Sequence, residues 1–372
     1  MTRALVIEPS GNLWGSERAL LDLLGAVPML EVAVCCPPAV PLNRELEKLH
    51  IRTLPYYIYG LHEKSKRYRL QAAAGVIRAC REFRPDVLYL NQCGCYKVAL
   101  PAATLLRLPI VAHIRIFEDA AYLARQSPDP RRLRGIVAIS SAVETEIRRF
   151  QQLDSIQLHR IYDAYAPAVP ALQNSCLPER IVNRVACVGR LVPVKGQDVL
   201  VGALRILKDF ECGLECLFVG DGEESFVKEL RERAVFGKTA SIRWLGFVGD
   251  VFSLLRTCSV LVCPSHSEPL GRVIFESWDA GALPIVFAGS GGAAEIVAAA
   301  EGGILYHEQT PQSLAMALRK ALELDGEQRN KLVHNGRRWM STNCNSEAYG
   351  QTILTILKNA ASKSIRVDGL RR

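Results

Sequence analysis

Two acids and two cations are the side chains whose spacing most suggests chemistry. In the stretch Ser265-His266-Ser267-Glu268-Pro269-Leu270-Gly271-Arg272-Val273-Ile274-Phe275-Glu276, seven residues separate Glu268 from Glu276. Glu268 falls in a loop that leaves an apolar run, and Glu276 lies about two turns further on, inside the helix that follows. In a doubly wound sheet the carboxyl edge of the strands is where ligands bind. Gly271 leaves room for close backbone approach, and the free N–H groups that open a helix suit a phosphate. The bland alternative is a capping acid plus an exposed helix acid, which leaves the intervening Pro-Leu-Gly without a reason. The cations stand in Val188-Gly189-Arg190-Leu191-Val192-Pro193-Val194-Lys195-Gly196. One loop there projects a planar fork and a point charge, the pair that a diphosphate requires. Two solvated loop cations are the alternative. No acid is adjacent in sequence, which argues against a local salt bridge.

Such residues need strand ends and helix starts to hold them. Short apolar runs recur at 4–9, 31–36, 87–91, 110–116 and 135–140, then at 184–188, 215–219, 241–245, 260–263, 284–288 and 303–306. They are uniformly apolar rather than alternating, as in strands buried on both faces of a parallel sheet. Amphipathic stretches at 16–25, 70–83, 198–210 and 224–235 alternate with them. The expected class is therefore α/β, with two Rossmann-like doubly wound domains facing each other. The Pro- and Ala-rich stretch 163–170 fits neither period. The expected division is a first domain over 1–165, a linker over 166–180 and a second domain over 181–340. A helix over 341–372 follows, packing back toward the first domain through Trp339, Tyr349, Ile353 and Ile356 and ending in a basic tail.

Composition narrows the function classes. The 372 residues are 49% hydrophobic and 23% charged, which excludes a disordered chain. No run approaches the roughly 20 apolar residues of a membrane span. The N-terminal apolar run meets Glu8 too soon for a secretory signal, so a soluble protein of the cytoplasm is expected. The 12 cysteines sit among apolar runs and read as reduced core thiols; Cys93-Gly94-Cys95 lacks a second pair at zinc spacing. A net charge of +8 is moderate, but Lys64, Lys66, Arg67 and Arg69 cluster ahead of Arg78, Arg81 and Arg84. Arg131, Arg132 and Arg134 form a second group, and the tail carries Lys363, Arg366, Arg371 and Arg372. These are either a solvated face or a surface attracted to phosphates, those of an anionic membrane or of a charged substrate. Tyr56, Tyr57, Tyr59 and Tyr68 interleave with the first group, yet no nucleic-acid motif accompanies them, and no nucleic-acid partner is expected.

Taken in order, Gly189-Arg190…Lys195-Gly196, Gly220-Asp221-Gly222, Leu245-Gly246-Phe247-Val248, the Glu268-x7-Glu276 pair and Gly291-Gly292-Ala293-Ala294-Glu295-Ile296-Val297 resemble the retaining glycosyltransferases of the family-four group, with the GT-B fold. The resemblance is dense from about 184 to 307. In the first domain it is looser, resting on Gly11-Asn12-Leu13-Trp14-Gly15-Ser16-Glu17, His113 and Ile139-Ser140-Ser141. It implies a nucleotide-sugar donor whose diphosphate is held by Arg190 and Lys195, with N–H groups added around Leu270 and Gly271. Glu276 would bind the ribose, Glu268 would approach the transferred sugar, and Glu295 would follow a turn that leaves room for that sugar. The Gly15 loop would close over the phosphates, and His113 would contact the sugar or acceptor. Many relatives carry Gly-Gly where this chain has Gly15-Ser16, and Asn-Gly where it has Asp163-Ala164.

The implied reaction is hexosyl transfer to a glycan or lipid-linked acceptor in surface polysaccharide biosynthesis. It would proceed by front-face displacement in which the leaving phosphate takes the acceptor proton, with a covalent route through Glu268 as the alternative. The chain has no Asp-x-Asp pair, so no metal cofactor is expected and Arg190 and Lys195 would take the metal's place. Other readings stay open. Gly289-Ser290-Gly291-Gly292-Ala293-Ala294 matches a dinucleotide loop with Glu308 as its acid, but in the fifth unit of its domain rather than the first. An epimerase on the same scaffold and a non-catalytic nucleotide-sugar binder are further alternatives. His113 beside an apolar strand also reads as a hydrogen-bonded core residue, and Trp14 as an acceptor platform or a plug.

Overall fold

Strands without polar faces need cover on both sides, and the helices between them supply it. The computed structural model describes residues 2–26, 31–57, 66–168, 180–207, 213–234 and 240–368. They divide into two compact units, 1–166 with 344–372, and 167–343. In the first, β1 (Arg3–Ile7), α1 (Gly15–Ala26), β2 (Glu31–Cys36), α2 (Pro41–Lys48), β3 (Arg52–Pro55), α3 (Lys66–Phe83), β4 (Val87–Leu90), α4 (Tyr96–Leu105), β5 (Ile110–Ile114), α5 (Glu118–Ala124), β6 (Leu133–Ala138), α6 (Ser141–Ile147) and β7 (Gln157–Arg160) alternate. The second runs β8 (Ile181–Val188), α7 (Gln197–Ile206), β9 (Leu214–Val219), α8 (Glu224–Arg233), β10 (Ala240–Gly246), α9 (Val251–Arg256), β11 (Cys258–Cys263), α10 (Arg272–Ala280), β12 (Leu283–Phe287), α11 (Gly292–Ala300), β13 (Ile304–Tyr306), α12 (Pro311–Glu323) and α13 (Gly326–Asn343). The last helix, α14 (Ser346–Asp368), returns to the first unit.

Each sheet is parallel throughout, ordered β3-β2-β1-β4-β5-β6-β7 and β10-β9-β8-β11-β12-β13. Both orders reverse beside the first strand of the unit. Loops leaving β1 and β4, and those leaving β8 and β11, therefore diverge and open a crevice at the carboxyl edge. The strands β3 and β7, absent from the apolar runs in the sequence, are the two edges of the seven-stranded sheet. Their residues are exposed or half-buried, with Leu54 the one buried side chain. An edge strand has one neighbour and less cover, so its sequence need not be apolar.

Helix α14 places Tyr349, Ile353, Leu354, Ile356 and Leu357 in one core cluster with Val6, Tyr89, Val111 and Val137 of the first sheet. Trp339 stays in the second unit, stacked on Phe275 at 6.5 Å and edge-on to Trp278 at 6.3 Å. The linker expected over 166–180 lies mostly outside the described residues, as do Tyr59, Lys64, Arg371 and Arg372. Among the described residues the cysteines are buried free thiols, Cys93 and Cys95 included, and no group of His, Cys, Asp or Glu side chains is placed to hold a metal ion. No described helix is long and apolar enough to cross a membrane.

Candidate functional site

The loop after β8 begins at Gly189, whose N–H bonds Val219 O on the neighbouring strand at 2.9 Å. It ends at Gly196, which starts α7 in the left-handed region at φ +68°. A Cβ there would stand 2.0 Å from Pro264 O, so glycine is required twice over, by conformation and by space. Pro264 opens the loop after β11, and this close approach brings the two loops together at the switch point. His266 N donates to Val194 O at 2.9 Å, and Lys195 Nζ meets Glu268 Oε2 at 2.5 Å. Ser265 Oγ donates to the same carboxylate oxygen at 3.2 Å. Burial alone would lower the Lys195 ammonium's pKa; the Glu268 carboxylate outweighs it and holds the group above the usual lysine value. Lys195 is thus no solvated loop cation. Its partner lies 73 residues away in sequence and next to it in space.

A third loop joins from β12. Glu268 pairs as an isolated parallel bridge with Gly291: Glu268 N donates to Ser290 O at 2.6 Å, and Ala293 N to Glu268 O at 3.4 Å. A side chain at Gly292 would stand 1.9 Å from Pro269 O. Gly271, at φ +82°, starts α10, and Gly291 starts α11. The N-termini of two helices therefore open beside one carboxylate–ammonium pair, each at a glycine that lets backbone approach. Leu270 is buried, so its main chain is what it offers. Glu276 on the second turn of α10 and Glu295 in the first turn of α11 are half-buried, and Arg190 is exposed on the β8 loop. Gly220 and Gly222 pack against the other side of that loop, where Cβ atoms would stand 2.1 Å from Gly189 O and 2.0 Å from Leu191 O. A pocket beside them is lined by Asp221, Arg231, Trp244 and Gly246, with Trp244 stacked on Phe218 at 4.4 Å.

Gly15 and His113 belong to the first unit. Gly15 is exposed at the start of α1. His113, expected to contact the sugar or acceptor, lies within β5 and is buried. Tyr89 Oη stands 2.6 Å and Arg115 Nη2 3.2 Å from its Nδ1. Nδ1 faces two donors and accepts, which puts the ring proton on Nε2, 3.8 Å from Asp163. Burial first, and the Arg115 charge second, push its pKa well below the ordinary value, so the ring is neutral. Its Nδ1 is hydrogen-bonded within the first sheet, and its Nε2 has no hydrogen-bond partner among the described residues.

Sequence reasoning missed what surrounds it. Arg115 donates from Nε to Asn91 O at 2.9 Å, from Nη2 to Asn91 Oδ1 at 3.1 Å, and from Nη1 to Asp163. Tyr349 of α14 donates to Asp163 at 3.4 Å. Asn91 also donates to Glu8 at 2.6 Å, where β1 ends beside β4. Glu8 and Glu17 are both fully buried, and the Gln92 amide stands 3.0 Å from one and 3.2 Å from the other. Burial, reinforced by Glu17, pushes Glu8 up to about 7. Glu17 accepts from Trp14 N at 3.1 Å and Ser16 Oγ at 3.0 Å, which ties down the loop that carries Gly15. Glu8 showed in the sequence as an acid ending an apolar run, and Glu17, Asp163 and Tyr349 stood in stretches already singled out, but nothing in the sequence linked them.

Residues 181–339 match the family described as glycosyl transferases group 1. An uncharacterized glycosyltransferase of Methanocaldococcus jannaschii is 35% identical over 154 residues, 40% of this chain and 41% of that protein. The lipopolysaccharide core biosynthesis glycosyltransferase LpsD of Rhizobium meliloti is 24% identical over 287 residues, 77% of this chain and 79% of that one. The chain spans about half the length of several curated relatives that it matches. Among solved structures, Anabaena HepE in complex with UDP-glucose superposes with a TM-score of 0.79 at 22% identity, covering 96% of this chain and 100% of that one. The chain has the GT-B fold of two parallel-sheet α/β units, and its second unit matches the glycosyl transferases group 1 family.

Proposed function

We propose that this protein transfers a hexosyl group from a nucleoside-diphosphate sugar to a glycan or lipid-linked acceptor, with retention at the anomeric carbon, in the building of a surface polysaccharide. The observation that carries the reading is the Lys195–Glu268 pair at the switch point of the second sheet, flanked by the glycine-opened N-termini of α10 and α11. The names of the matched relatives and the UDP-glucose held by HepE support the same class. In this reading Arg190 and Lys195 grip the diphosphate, N–H groups around Leu270 and Gly271 add to that grip, and Glu276 binds the ribose hydroxyls. The pocket by Trp244 lies on the same loop and suits the nucleoside end of the donor.

The bond from the anomeric carbon to the phosphate oxygen breaks, and its electron pair leaves with the diphosphate. Fixed cations and amide dipoles stabilise that charge, so no divalent ion is needed for it. The Glu268 carboxylate, with Glu295 near the sugar, stabilises the positive charge that grows on the ring. The acceptor hydroxyl attacks the same face, and its proton passes to the departing phosphate oxygen. His113 orients Tyr89 and Arg115 through its Nδ1, and its Nε2 is the atom proposed to serve the sugar or acceptor.

A panel of nucleoside diphosphates tests the reading. At a ligand concentration of 100 times Kd the native state gains about 2.7 kcal/mol. One nucleoside diphosphate of the panel is expected to raise the melting temperature of the wild type by several degrees and that of Lys195→Ala by much less. Equal shifts in the two proteins would refute the diphosphate site. Peripheral contact with an anionic membrane is part of the proposal. Positions 67, 71, 74, 78 and 81 recur at helical spacing along α3, all exposed, and bring Arg67, Arg78 and Arg81 to one face. Flotation with phosphatidylserine vesicles should show binding at low salt that is lost at high salt; an Arg78→Glu/Arg81→Glu variant that still floats would remove this surface from the account.

A further inference from the structure

The two loops that meet at Lys195 and Glu268 are braced from a third direction. Tyr306, the last residue of β13, is buried, and its hydroxyl donates to Gln309 Oε1 at 2.7 Å. That bond orients the amide, so Gln309 Nε2 points at Pro264 O and donates to it at 2.5 Å. Pro264 O is the same carbonyl that leaves no room for a side chain at Gly196, and the Gln309 nitrogen stands 3.0 Å from where that side chain would begin. One amide thus bonds the residue before Ser265 and occupies the space that a side chain on the residue after Lys195 would enter. Tyr306 is itself held by Phe287, with ring centroids 5.5 Å apart.

We propose that Gln309 is a positioning residue for sugar transfer: its amide, oriented by Tyr306, sets the separation of the β8 and β11 loops and so the placing of the Lys195 ammonium against the donor diphosphate. The inference rests on the diphosphate reading of Lys195 and deepens it. With the brace in place, His266 N–H stays on Val194 O and the ammonium stays within reach of both Glu268 and an incoming phosphate. Without it, Pro264 O loses a donor, a gap opens beside Gly196, and the loops settle at a different spacing.

Two measurements test this, one without any ligand. Hydrogen exchange of the unliganded protein should quicken in peptides covering 193–197 and 264–268 for Gln309→Ala, while α12 and the centre of β11 keep their protection. Affinity for the nucleoside diphosphate that binds the wild type, read by calorimetry, should fall about fivefold, the worth of one hydrogen bond. Tyr306→Phe should move both readouts the same way and less far. Gln309→Glu supplies the sharper arm, because a carboxyl donates to Pro264 O only while protonated. The groups facing this position are Tyr306, Cys263 and Cys187, with Asp198 and the Lys195–Glu268 pair beyond them. Burial pushes the phenol and both thiols up, Cys263 to about 11, so they stay neutral over the range used.

Measured against wild type at each pH, the affinity of Gln309→Glu should recover as pH falls from 8 to 5.5, while Gln309→Ala shows no recovery. Unchanged exchange and unchanged affinity in Gln309→Ala would overturn the brace, as would a Gln309→Glu deficit indifferent to pH. If no nucleoside diphosphate binds even the wild type, the reading of function fails, and the exchange result alone decides whether Gln309 spaces the loops.

Discussion

On the proposed function, Glu268→Gln should cut sugar transfer by a factor of about 10²–10³ while raising affinity for the nucleoside diphosphate. The two effects have separate causes. In the proposed mechanism the carboxylate stabilises the positive charge that develops on the sugar, and an amide of the same shape offers only a dipole there. Losing one preorganised electrostatic partner of a transition state has that order of effect on rate. The ground state changes the other way. In the unliganded protein the Lys195 ammonium rests on Glu268 at 2.5 Å, so an arriving diphosphate competes with a carboxylate for it. Removing the negative charge frees the cation and spares the diphosphate a like-charged neighbour. Lys195→Ala should instead weaken nucleotide binding and slow transfer together, since one cation serves both. Calorimetry and initial rates on the two variants separate these outcomes. If Glu268→Gln lost nucleotide affinity in step with Lys195→Ala, the pair would be a structural strut.

The residues of this site were legible as types but not as a pair. Glycines at 189, 196, 271 and 291 flagged strand-to-helix turns, and acids and cations stood in the same segments. What joined Lys195 to Glu268 was the strand order, which sets β8 beside β11 and skips two βα units of sequence. Periodicity carries no information about that adjacency. The central strands were readable because burial on both faces forces apolar runs, as in β2 and β11, all but two of whose residues are buried. The edges β3 and β7 were not, because exposed edge positions accept Arg52, Gln157 and Arg160. The first unit's polar cluster was illegible for a third reason. Glu8, Asn91, Arg115 and Asp163 each end or follow a different strand, and single polar residues after apolar runs look like ordinary loop beginnings. For His113 the sequence offered a residue type at a strand end, and only the structure shows the neighbours Tyr89 and Arg115 that its Nδ1 faces.

That cluster makes the sharpest stability prediction. Arg115→Ala should destabilise the first unit by about 3–5 kcal/mol, because it strands the buried Asp163 carboxylate without its cation. The loss should also depend on pH in a direction fixed by His113. In the wild type, burial and the Arg115 charge hold the folded-state pKa of His113 well below the ordinary value, so lowering the pH through the unfolded-state value near 6.5 costs stability. With Arg115 gone, burial still holds the imidazole's pKa down, but the second lowering cause is absent and Asp163 stands 3.8 Å away, so the folded-state pKa moves up toward the unfolded one. The variant therefore loses less stability than the wild type does as pH falls through the unfolded-state value. The deficit of Arg115→Ala should therefore be smaller at pH 5.5 than at pH 8. Adding Asp163→Asn removes the stranded charge, so the double variant should regain part of the loss and show no such recovery at low pH. Because the chain has two units, a single unfolding curve would mix them. Native-state hydrogen exchange read on the amides of β4 and β5 isolates the unit in question. A deficit equal at both pH values would mean that His113 never takes the proton, and that something other than Asp163 sets the cost of losing Arg115.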